Sequence, residues 1–286
     1  MDVITSPSNP AVRAARKLAR PSARARAEGR FLLEGPEGIR EALEAGHVPD
    51  SLLATERAAA RHAGLVNLAR QRGAQVTMVA EPVLAALAAT TTPQGLVAVV
   101  PSVLKALDDL PAAPRLVCVL AEVRDPGNAG TVLRAADAFG ADAVVTTRGS
   151  VDLQSPKAAR AAAGSLFHLP VMAGAPWPEL AAALRGRGLR LVGADPHAAA
   201  TVDAAPLDEP VALVVGNEAH GLPAEIAAGL DLVVRVPLAG RAESLNLAAA
   251  AAVLLYETAR RQAARPEGSG EPRRGAPVHK EAAGGR

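Results

Sequence analysis

The sequence predicts an α/β protein built on a parallel sheet, and three observations lead to this fold class. Apolar segments of strand length alternate with segments of helical spacing along most of the 286 residues. Two segments, residues 211–215 and 232–236, are valine-rich apolar runs with Arg235 as their one charged residue, and they lack the apolar/polar alternation of a half-solvated sheet, as is typical of parallel strands covered on both faces. Each is followed by a break that contains glycine, at Gly216 and at Gly240. Because neighbouring parallel strands end at one edge of a sheet, the two breaks predict a cleft there.

Composition indicates which residues form the cores and where in the cell the protein is expected. The chain is long enough for two domains, and its cores must consist of Ala, Leu and Val because aromatic residues make up only 2% of the sequence. The single cysteine, Cys118, lies inside an apolar run and is predicted to be a small core residue. No apolar run reaches the ~18 residues of a membrane span and no signal peptide is recognisable, so we expect a cytoplasmic protein without membrane contact.

The first hundred residues predict a small α/β domain. A basic helical stretch comes first, with Val12 and Leu18 too sparse to make a strong core face. We place this domain at residues 1–106 and a linker rich in Asp and Pro at residues 107–114. Strands are expected over residues 31–35, 51–54, 75–79 and 96–100, and helices over residues 36–45, 59–71 and 82–88.

Basic residues crowd the N-terminus although the formal net charge is only +2. Asp2 and Glu28 are the only acids beside them, and the pattern is typical of a surface that binds a polyanion. A solvated helix face, or a general use of arginine in place of lysine, explains the charges equally well without further motifs. The cationic residues of this stretch are Arg13, Arg16, Lys17, Arg20, Arg24, Arg26 and Arg30.

The second predicted domain, residues 115–264, repeats the alternation of strands and helices. One predicted helix carries Arg134, and residues 122–127 before it are predicted to be a loop. Residues 265–286 have almost no large apolar residue to bury and are expected to be disordered. Strands are expected over residues 116–120, 143–147 and 189–194, and helices over residues 131–139 and 177–184 and from Ser155 onward.

Three short motifs lie in this second domain. The first is Asn128-Ala129-Gly130 with Arg134 four residues after the glycine, the second is Gly216-x-Glu218-x-x-Gly221, and the third is Pro237 followed by Ser244-Leu245-Asn246. Each motif is weak alone, but in this order and spacing they resemble the SpoU-type (TrmH) group of SPOUT RNA 2'-O-ribose methyltransferases. The first domain is similar to the ribosomal-protein-L30e-like substrate-binding domain that often precedes their catalytic domain.

The resemblance implies a topology, a reaction and partners. The C-terminal segment would pass through a loop to form a trefoil knot. The protein would be a homodimeric cytoplasmic enzyme that uses S-adenosylmethionine to methylate a ribose 2'-hydroxyl in RNA, with ribosomal RNA as the expected substrate. Arg160 or the first domain would serve the partner's site. At the positions that match the family's cofactor contacts, main-chain groups and apolar side chains would hold S-adenosylmethionine: Gly216, Val236, Leu238 and Leu245.

The same resemblance implies five residues that act on the substrate. Arg134 would either stabilise the developing alkoxide as a cation or assist proton transfer, since arginine is a poor base. Asn128, Ser244 and Asn246 offer short polar side chains for ribose or phosphate oxygens. Ser244 is also predicted to cap the following helix, with Asn246 satisfying free backbone groups there. Glu218 is expected to position loops, by accepting hydrogen bonds or by pairing with an arginine.

Metal chemistry and nicotinamide binding have little support in the sequence. The histidines are scattered without the spacing of a zinc site, so we expect no bound metal. No GxGxxG follows an early strand. Three alternatives stay open: the same chemistry on tRNA, a non-catalytic RNA-binding factor that kept the fold, and a nucleotide-binding oxidoreductase.

Overall fold

The computed structural model describes residues 3–19 and 29–264, which form two α/β units, each with its own sheet. We call them the four-stranded unit and the seven-stranded unit. The predicted disorder of residues 265–286 lies outside the described residues, as do Arg20, Arg24 and Arg26. The four-stranded unit contains α1 (Pro10–Leu18), β1 (Arg30–Glu34), α2 (Pro36–Glu44), β2 (Ser51–Ala54), α3 (Glu56–Arg61), α4 (Ala63–Gln71), β3 (Gln75–Met78), α5 (Glu81–Ala85) and β4 (Leu96–Pro101).

The sheet of the four-stranded unit is mixed, with strand order β1-β4-β2-β3. Strand β4 runs antiparallel to both β1 and β2, whereas β2 and β3 are parallel. The single helix predicted over residues 59–71 is wrong: the chain forms α3 and α4, because His62 between them leaves helical geometry at φ −115° and ψ 37°.

Helix α1 has a stronger core face than the sequence suggested. The Asn9 side chain accepts a hydrogen bond from the Ala11 amide at 2.9 Å, and Pro10 opens the helix, so its start is well defined. Val12, Ala15 and Leu18 are spaced three apart and all are buried, since Ala15 completes the stripe that Val12 and Leu18 alone seemed too sparse to form. The cationic residues on its solvent side are Arg13, Arg16 and Lys17.

The seven-stranded unit has strand order β7-β6-β5-β10-β8-β11-β9, and every neighbouring pair is parallel. The predicted parallel α/β sheet is therefore confirmed. Strands β5, β6 and β10 are buried along their whole length, and burial raises the pKa of the Cys118 thiol on β5 to about 12. The unit contains β5 (Leu116–Leu120), α6 (Pro126–Ala138), β6 (Ala143–Thr147), α7 (Pro156–Ala161), β7 (Val171–Ala175), α8 (Trp177–Arg185), β8 (Arg190–Ala194), β9 (Ala200–Thr201), β10 (Val211–Val215), α9 (Ala224–Ala228), β11 (Leu232–Arg235) and α10 (Leu247–Ala264).

Helix α6 begins five residues earlier than predicted. Asp125 caps it by accepting a hydrogen bond from the Asn128 amide at 2.7 Å, and Pro126 occupies the first helical position. Asn128 therefore lies in the first turn of a helix, ahead of the predicted helical residues 131–139. Gly130 lies against α7 so closely that an added Cβ would collide with the Ala158 carbonyl oxygen. Glycine at this position thus serves close helix packing.

Polar contacts hold the two units against each other. Arg160 Nη1 lies 3.3 Å from a carboxylate oxygen of Glu34. His168 lies 2.7 Å from Asp137 of its own unit and 3.0 Å from Glu41 of the four-stranded unit. The chain between the units is also packed, because Leu110 is buried although it lies in the predicted linker. No helix in the described ranges is both long and apolar enough to cross a membrane.

Candidate active site

A cavity of about 630 Å³ lies at the carboxyl ends of β10, β8 and β11, beside the start of α10. In the sheet, β8 lies between β10 and β11, so the segments that follow these three strands form a continuous wall. Ligand sites in open α/β sheets occupy this edge, and their volumes are usually about 300–1,000 Å³. The cavity therefore has the place and the size of a site for a nucleoside-sized molecule.

The loop after β10 is a tight backbone turn. Asn217 and Gly221 form a pair of backbone hydrogen bonds, at 2.7 Å and 2.9 Å. A Cβ on Gly216 would collide with the Gly221 carbonyl group, and Gly221 itself has a positive φ of 67°. The spacing Gly-x-x-x-x-Gly is thus required by the turn, which places the backbone of residues 216–221 along the cavity.

Glu218 ties this turn to the start of α6. Its carboxylate accepts hydrogen bonds from the Asp125 amide at 3.2 Å, from the Arg124 amide at 3.4 Å and from Asn128 Nδ2 at 3.2 Å. Asn217 Nδ2 adds a bond to the Glu122 carbonyl oxygen at 2.9 Å. Both carboxylate oxygens of Glu218 are therefore occupied by protein donors, as expected for a residue that positions loops.

Asn246 joins the same network from the other side. Its Nδ2 donates to Asn128 Oδ1 at 3.1 Å, and its Oδ1 accepts from the Ala248 and Ala249 amides at 2.9 Å and 3.3 Å. The predicted helix cap is corrected accordingly: Asn246 caps α10, whereas the exposed Ser244 accepts no hydrogen bond from the described residues. The three motifs thus meet through one chain of bonds, Glu218 to Asn128 to Asn246.

Asp125 supplies a fixed negative charge beside Asn128. The hydrogen bond from the Asn128 amide, opposed by desolvation and aided by Lys157, lowers the pKa of Asp125 below its usual value. Lys157 Nζ lies 3.4 Å from its carboxylate. Asp125 is therefore ionised at neutral pH, which suits a helix N-cap, where negative charge is favourable.

The four predicted cofactor-binding residues all line the cavity. Gly216 brings backbone close to it, and Val236 is half-buried in its wall. Leu238 and Leu245 are large apolar side chains that remain 38% and 37% exposed at its rim. Apolar surface left open beside free backbone groups suits a flat, mostly uncharged ligand such as an adenine ring.

Arg134 is the one predicted site residue that does not line the cavity; Asn128, Glu218, Ser244 and Asn246 do. It follows Asn128 by six residues on α6, which places it about 9 Å along the helix axis and about 120° around it. Its side chain is exposed and makes no hydrogen bond or ion pair with any residue the structure describes.

Residues 194–197, which follow β8, line the cavity and were missed in the sequence. They include Asp195 and His197. The sequence does contain a feature that could have indicated them, because the predicted strand over residues 189–194 ends in the polar break Asp195-Pro196. The break could not be assigned to the site because strand order is not visible in a sequence. Within residues 3–19 and 29–264, no group of three His, Cys, Asp or Glu side chains is placed to hold a metal ion.

These features define a class of protein: an α/β fold with a nucleoside-sized cavity of main-chain and apolar groups, next to amide and hydroxyl side chains and a basic N-terminal helix. The family model described as SpoU rRNA Methylase family matches residues 115–256, and the MRM3-like substrate binding domain matches residues 9–98. The chain belongs to the SpoU rRNA methylase family, as its motifs predicted.

Individual relatives are similar over most of their length. The chain is 36% identical to the 23S rRNA (guanosine(2553)-2'-O)-methyltransferase RlmP of Bacillus subtilis, over 79% of this chain and 87% of that protein. Its structure matches an AdoMet-bound rRNA methyltransferase from Sinorhizobium meliloti with a TM-score of 0.80 at 30% identity, covering 91% of this chain and 97% of the other. AviRb from Streptomyces viridochromogenes in complex with AdoMet matches with a TM-score of 0.79 at 30% identity, covering 89% and 99%.

Proposed function

We propose that this chain transfers the methyl group of S-adenosylmethionine to a ribose 2'-hydroxyl of ribosomal RNA. The observation that carries the proposal is the convergence of the three motifs on one cavity through the bonds among Glu218, Asn128 and Asn246. Family membership and the printed activities of the relatives support the same reaction.

The residues of the cavity fit the methyl donor. Backbone groups near Gly216 and the half-buried Val236 would hold the adenine, and Leu238 and Leu245 would cover its faces. When bound, S-adenosylmethionine supplies a methyl group on a positively charged sulfur. The cavity wall around it then has two tasks: to exclude water and to orient the sugar hydroxyl that accepts the methyl group.

The polar side chains divide into two roles. Ser244, whose hydroxyl has no partner among the described residues, is free to bind a ribose or phosphate oxygen of the RNA. Asn128 and Asn246 are bound to each other, so they position the wall and present their remaining hydrogen-bonding capacity to the substrate. We assign no base role to Glu218, because its oxygens already accept three protein hydrogen bonds.

Arg134 is proposed to stabilise negative charge on the RNA during transfer. Arginine keeps its positive charge at all relevant pH values, so it suits a phosphate or a developing alkoxide better than it suits proton removal. Since Arg134 does not line the cavity, this role requires the RNA to extend from the cavity onto the exposed side of α6. Exposed Arg13, Arg16 and Lys17 on α1 would add sequence-independent phosphate contacts.

We also propose the homodimer and the trefoil knot that the family implies. Exposed Val253 and Tyr256 on α10, at 39% and 53%, would be covered in a homodimer. The C-terminal segment would pass through a loop to form the trefoil knot. We further propose domains at residues 1–106 and 115–264 and a cytoplasmic location.

Methyl transfer from a labelled donor tests the function. The wild-type chain is expected to label ribosomal RNA, and Arg134→Ala should reduce the rate about 100-fold or more, as for loss of one stabilising charge in a transition state. Binding of S-adenosylhomocysteine, measured by calorimetry, should be unchanged in Arg134→Ala. Arg190→Ala is the matched control, because Arg190 begins β8 at the opposite edge of the same sheet.

Four other results would contradict the proposed substrate, activity or role of Arg134. Labelling of tRNA alone would show that the substrate is wrong. Donor binding without transfer to any RNA would identify a non-catalytic RNA-binding factor, and nicotinamide binding an oxidoreductase. Full activity of Arg134→Ala would refute the role of this arginine.

A further inference from the structure

We propose that the carboxylate of Asp195 binds the ribose hydroxyls of the methyl donor. This assignment rests on the proposed function, because it takes the cavity to be the donor site. It concerns a residue outside the three motifs, at the end of β8, which lies between the strands that precede the second and third motifs.

Strand order places Asp195 in the middle of the site. The donor-binding segments follow β10 and β11, and β8 lies between these strands. Neighbouring strands are about 4.8 Å apart, so a ligand that reaches from Gly216 to Val236 must cross the end of β8, about 5 Å from each. Asp195 is the first residue after β8 and lines the cavity at this point.

The carboxylate is held by one oxygen and leaves the other available. The Asp195 amide donates to the Val234 carbonyl oxygen at 3.0 Å, which ties this backbone to β11. Asp195 Oδ1 accepts from the His197 amide at 2.7 Å, so the side chain is fixed in a turn. Asp195 Oδ2 accepts no hydrogen bond from any residue in the described ranges.

A ribose diol is the ligand group that fits this carboxylate. An ionised carboxylate only accepts hydrogen bonds, and a nucleoside ribose presents two adjacent hydroxyl donors. Dinucleotide-binding α/β folds use an acidic side chain in the same way to bind a ribose hydroxyl. The other acid on the cavity wall, Glu218, is already occupied by protein donors. Asp195 is thus the acid of this wall with capacity left for a sugar.

Two substitutions separate ligand binding from the local turn. Asp195→Asn keeps an Oδ1 acceptor for the His197 amide, and so keeps the turn, but replaces the free oxygen by a donor. Asp195→Ala removes both the Oδ1 acceptor and the free oxygen. Asp203→Asn, at an exposed acid that does not line the cavity, is the matched control.

Calorimetry with S-adenosylhomocysteine and 5'-methylthioadenosine tests the assignment. Both probes carry the ribose diol, but only the first carries an amino acid group. We expect Asp195→Asn and Asp195→Ala to lower the affinity for both probes by a similar factor, about 10- to 100-fold, as for loss of a hydrogen bond to a charged group. A 2',3'-dideoxy form of 5'-methylthioadenosine should bind wild-type protein more weakly by a similar factor but lose little further affinity in Asp195→Ala.

Four results would overturn the assignment. Weaker binding of S-adenosylhomocysteine alone would mean that Asp195 pairs with the donor's ammonium group. Normal binding by Asp195→Asn with weak binding by Asp195→Ala would mean that Asp195 only shapes the turn. Unchanged affinity in both variants would exclude a contact. If wild-type protein bound neither probe, the proposed function would fail together with this assignment.

Discussion

The amide of Asn128 is fixed in orientation by its two neighbours. It donates through Nδ2 to Glu218 and accepts through Oδ1 from Asn246. A carboxamide has both a donor and an acceptor, whereas a carboxylate has only acceptors, so aspartate cannot replace it without losing one bond. Asn128 therefore transmits the position of the Gly216–Gly221 turn to the start of α10.

Asn128→Asp is expected to reduce methyl transfer strongly. The new carboxylate would face Glu218 Oε1 at the present bond distance of 3.2 Å, and two like charges at that distance repel each other. Displacement of the cavity wall by about 1 Å lowers a rate about 100-fold. Single-turnover methyl transfer measures the effect, with Asn67→Asp at an exposed position of α4 as control. A wild-type rate for Asn128→Asp would show that the network does not position the site.

At the scale of elements, Asn246 combines a helix cap with a contact to another element. Its Oδ1 caps α10, and its Nδ2 contacts Asn128 on α6. Serine also caps helices well but has no amide group to reach Asn128. The two roles can therefore be separated by substitution.

Asn246→Ala should lower the free energy of unfolding by about 1 kcal/mol, whereas Asn246→Ser should lower it by only a few tenths. Both variants should lose methyl transfer, because both lack the bond to Asn128. Urea denaturation and single-turnover transfer provide the two measurements. If Asn246→Ser restored activity along with stability, the contact with Asn128 would have no part in positioning the site.

Gly130 provides a second test at this scale. Gly130→Ala should destabilise the fold by about 1–3 kcal/mol, because its Cβ would collide with the α7 backbone at Ala158. Gly64 on α4 has open space around it, so Gly64→Ala should instead stabilise by up to about 1 kcal/mol. Chemical denaturation compares the two variants, and equal effects would contradict the packing argument.

Some of these elements could be predicted from the sequence and others depend on tertiary packing. Strands β5 and β10 were predictable because burial on both faces requires unbroken apolar runs. The start of α6 was not, since Gly127 and Gly130 suggest a loop and only packing against α7 shows why Gly130 is tolerated. The motif residues that line the cavity, such as Glu218 and Asn246, could be named from the sequence, although Arg134 of the first motif does not line it. Asp195 could not be named, because its place depends on β8 lying between β10 and β11.

At the scale of the whole molecule, the two units are held together at a polar seam. Glu34 is buried, and its carboxylate accepts hydrogen bonds from the Ala89 amide at 2.9 Å, from Thr90 Oγ1 and from Arg160. Arg160, which the sequence offered together with the first domain as a candidate for a partner's site, contacts the four-stranded unit of its own chain. The seam therefore fixes the Thr90 loop relative to the seven-stranded unit.

A double-mutant cycle tests this seam. Arg160→Ala removes the cation from a buried carboxylate and should destabilise by about 1–3 kcal/mol. In that background, Glu34→Gln should restore part of the loss, because a neutral amide keeps an acceptor for the Ala89 amide without a buried charge. Urea denaturation of the four proteins gives the coupling energy. Additive effects would show that the two side chains do not interact in solution.

His168 makes the same seam sensitive to pH. Burial lowers the pKa of His168, but the hydrogen bonds and charges of Asp137 and Glu41 outweigh it, so the pKa lies above the usual 6.5. A raised pKa in the folded state means that the stabilisation is complete below about pH 6.5 and is lost as pH rises through the folded-state pKa.

Wild-type protein should therefore lose more thermal stability than His168→Gln between about pH 6 and pH 8. His62→Gln, away from the seam, should keep the wild-type slope. His168 bridges the two units because Asp137 lies in one and Glu41 in the other. If thermal stability changed with pH equally in His168→Gln and in wild type, this bridge would make no contribution in solution.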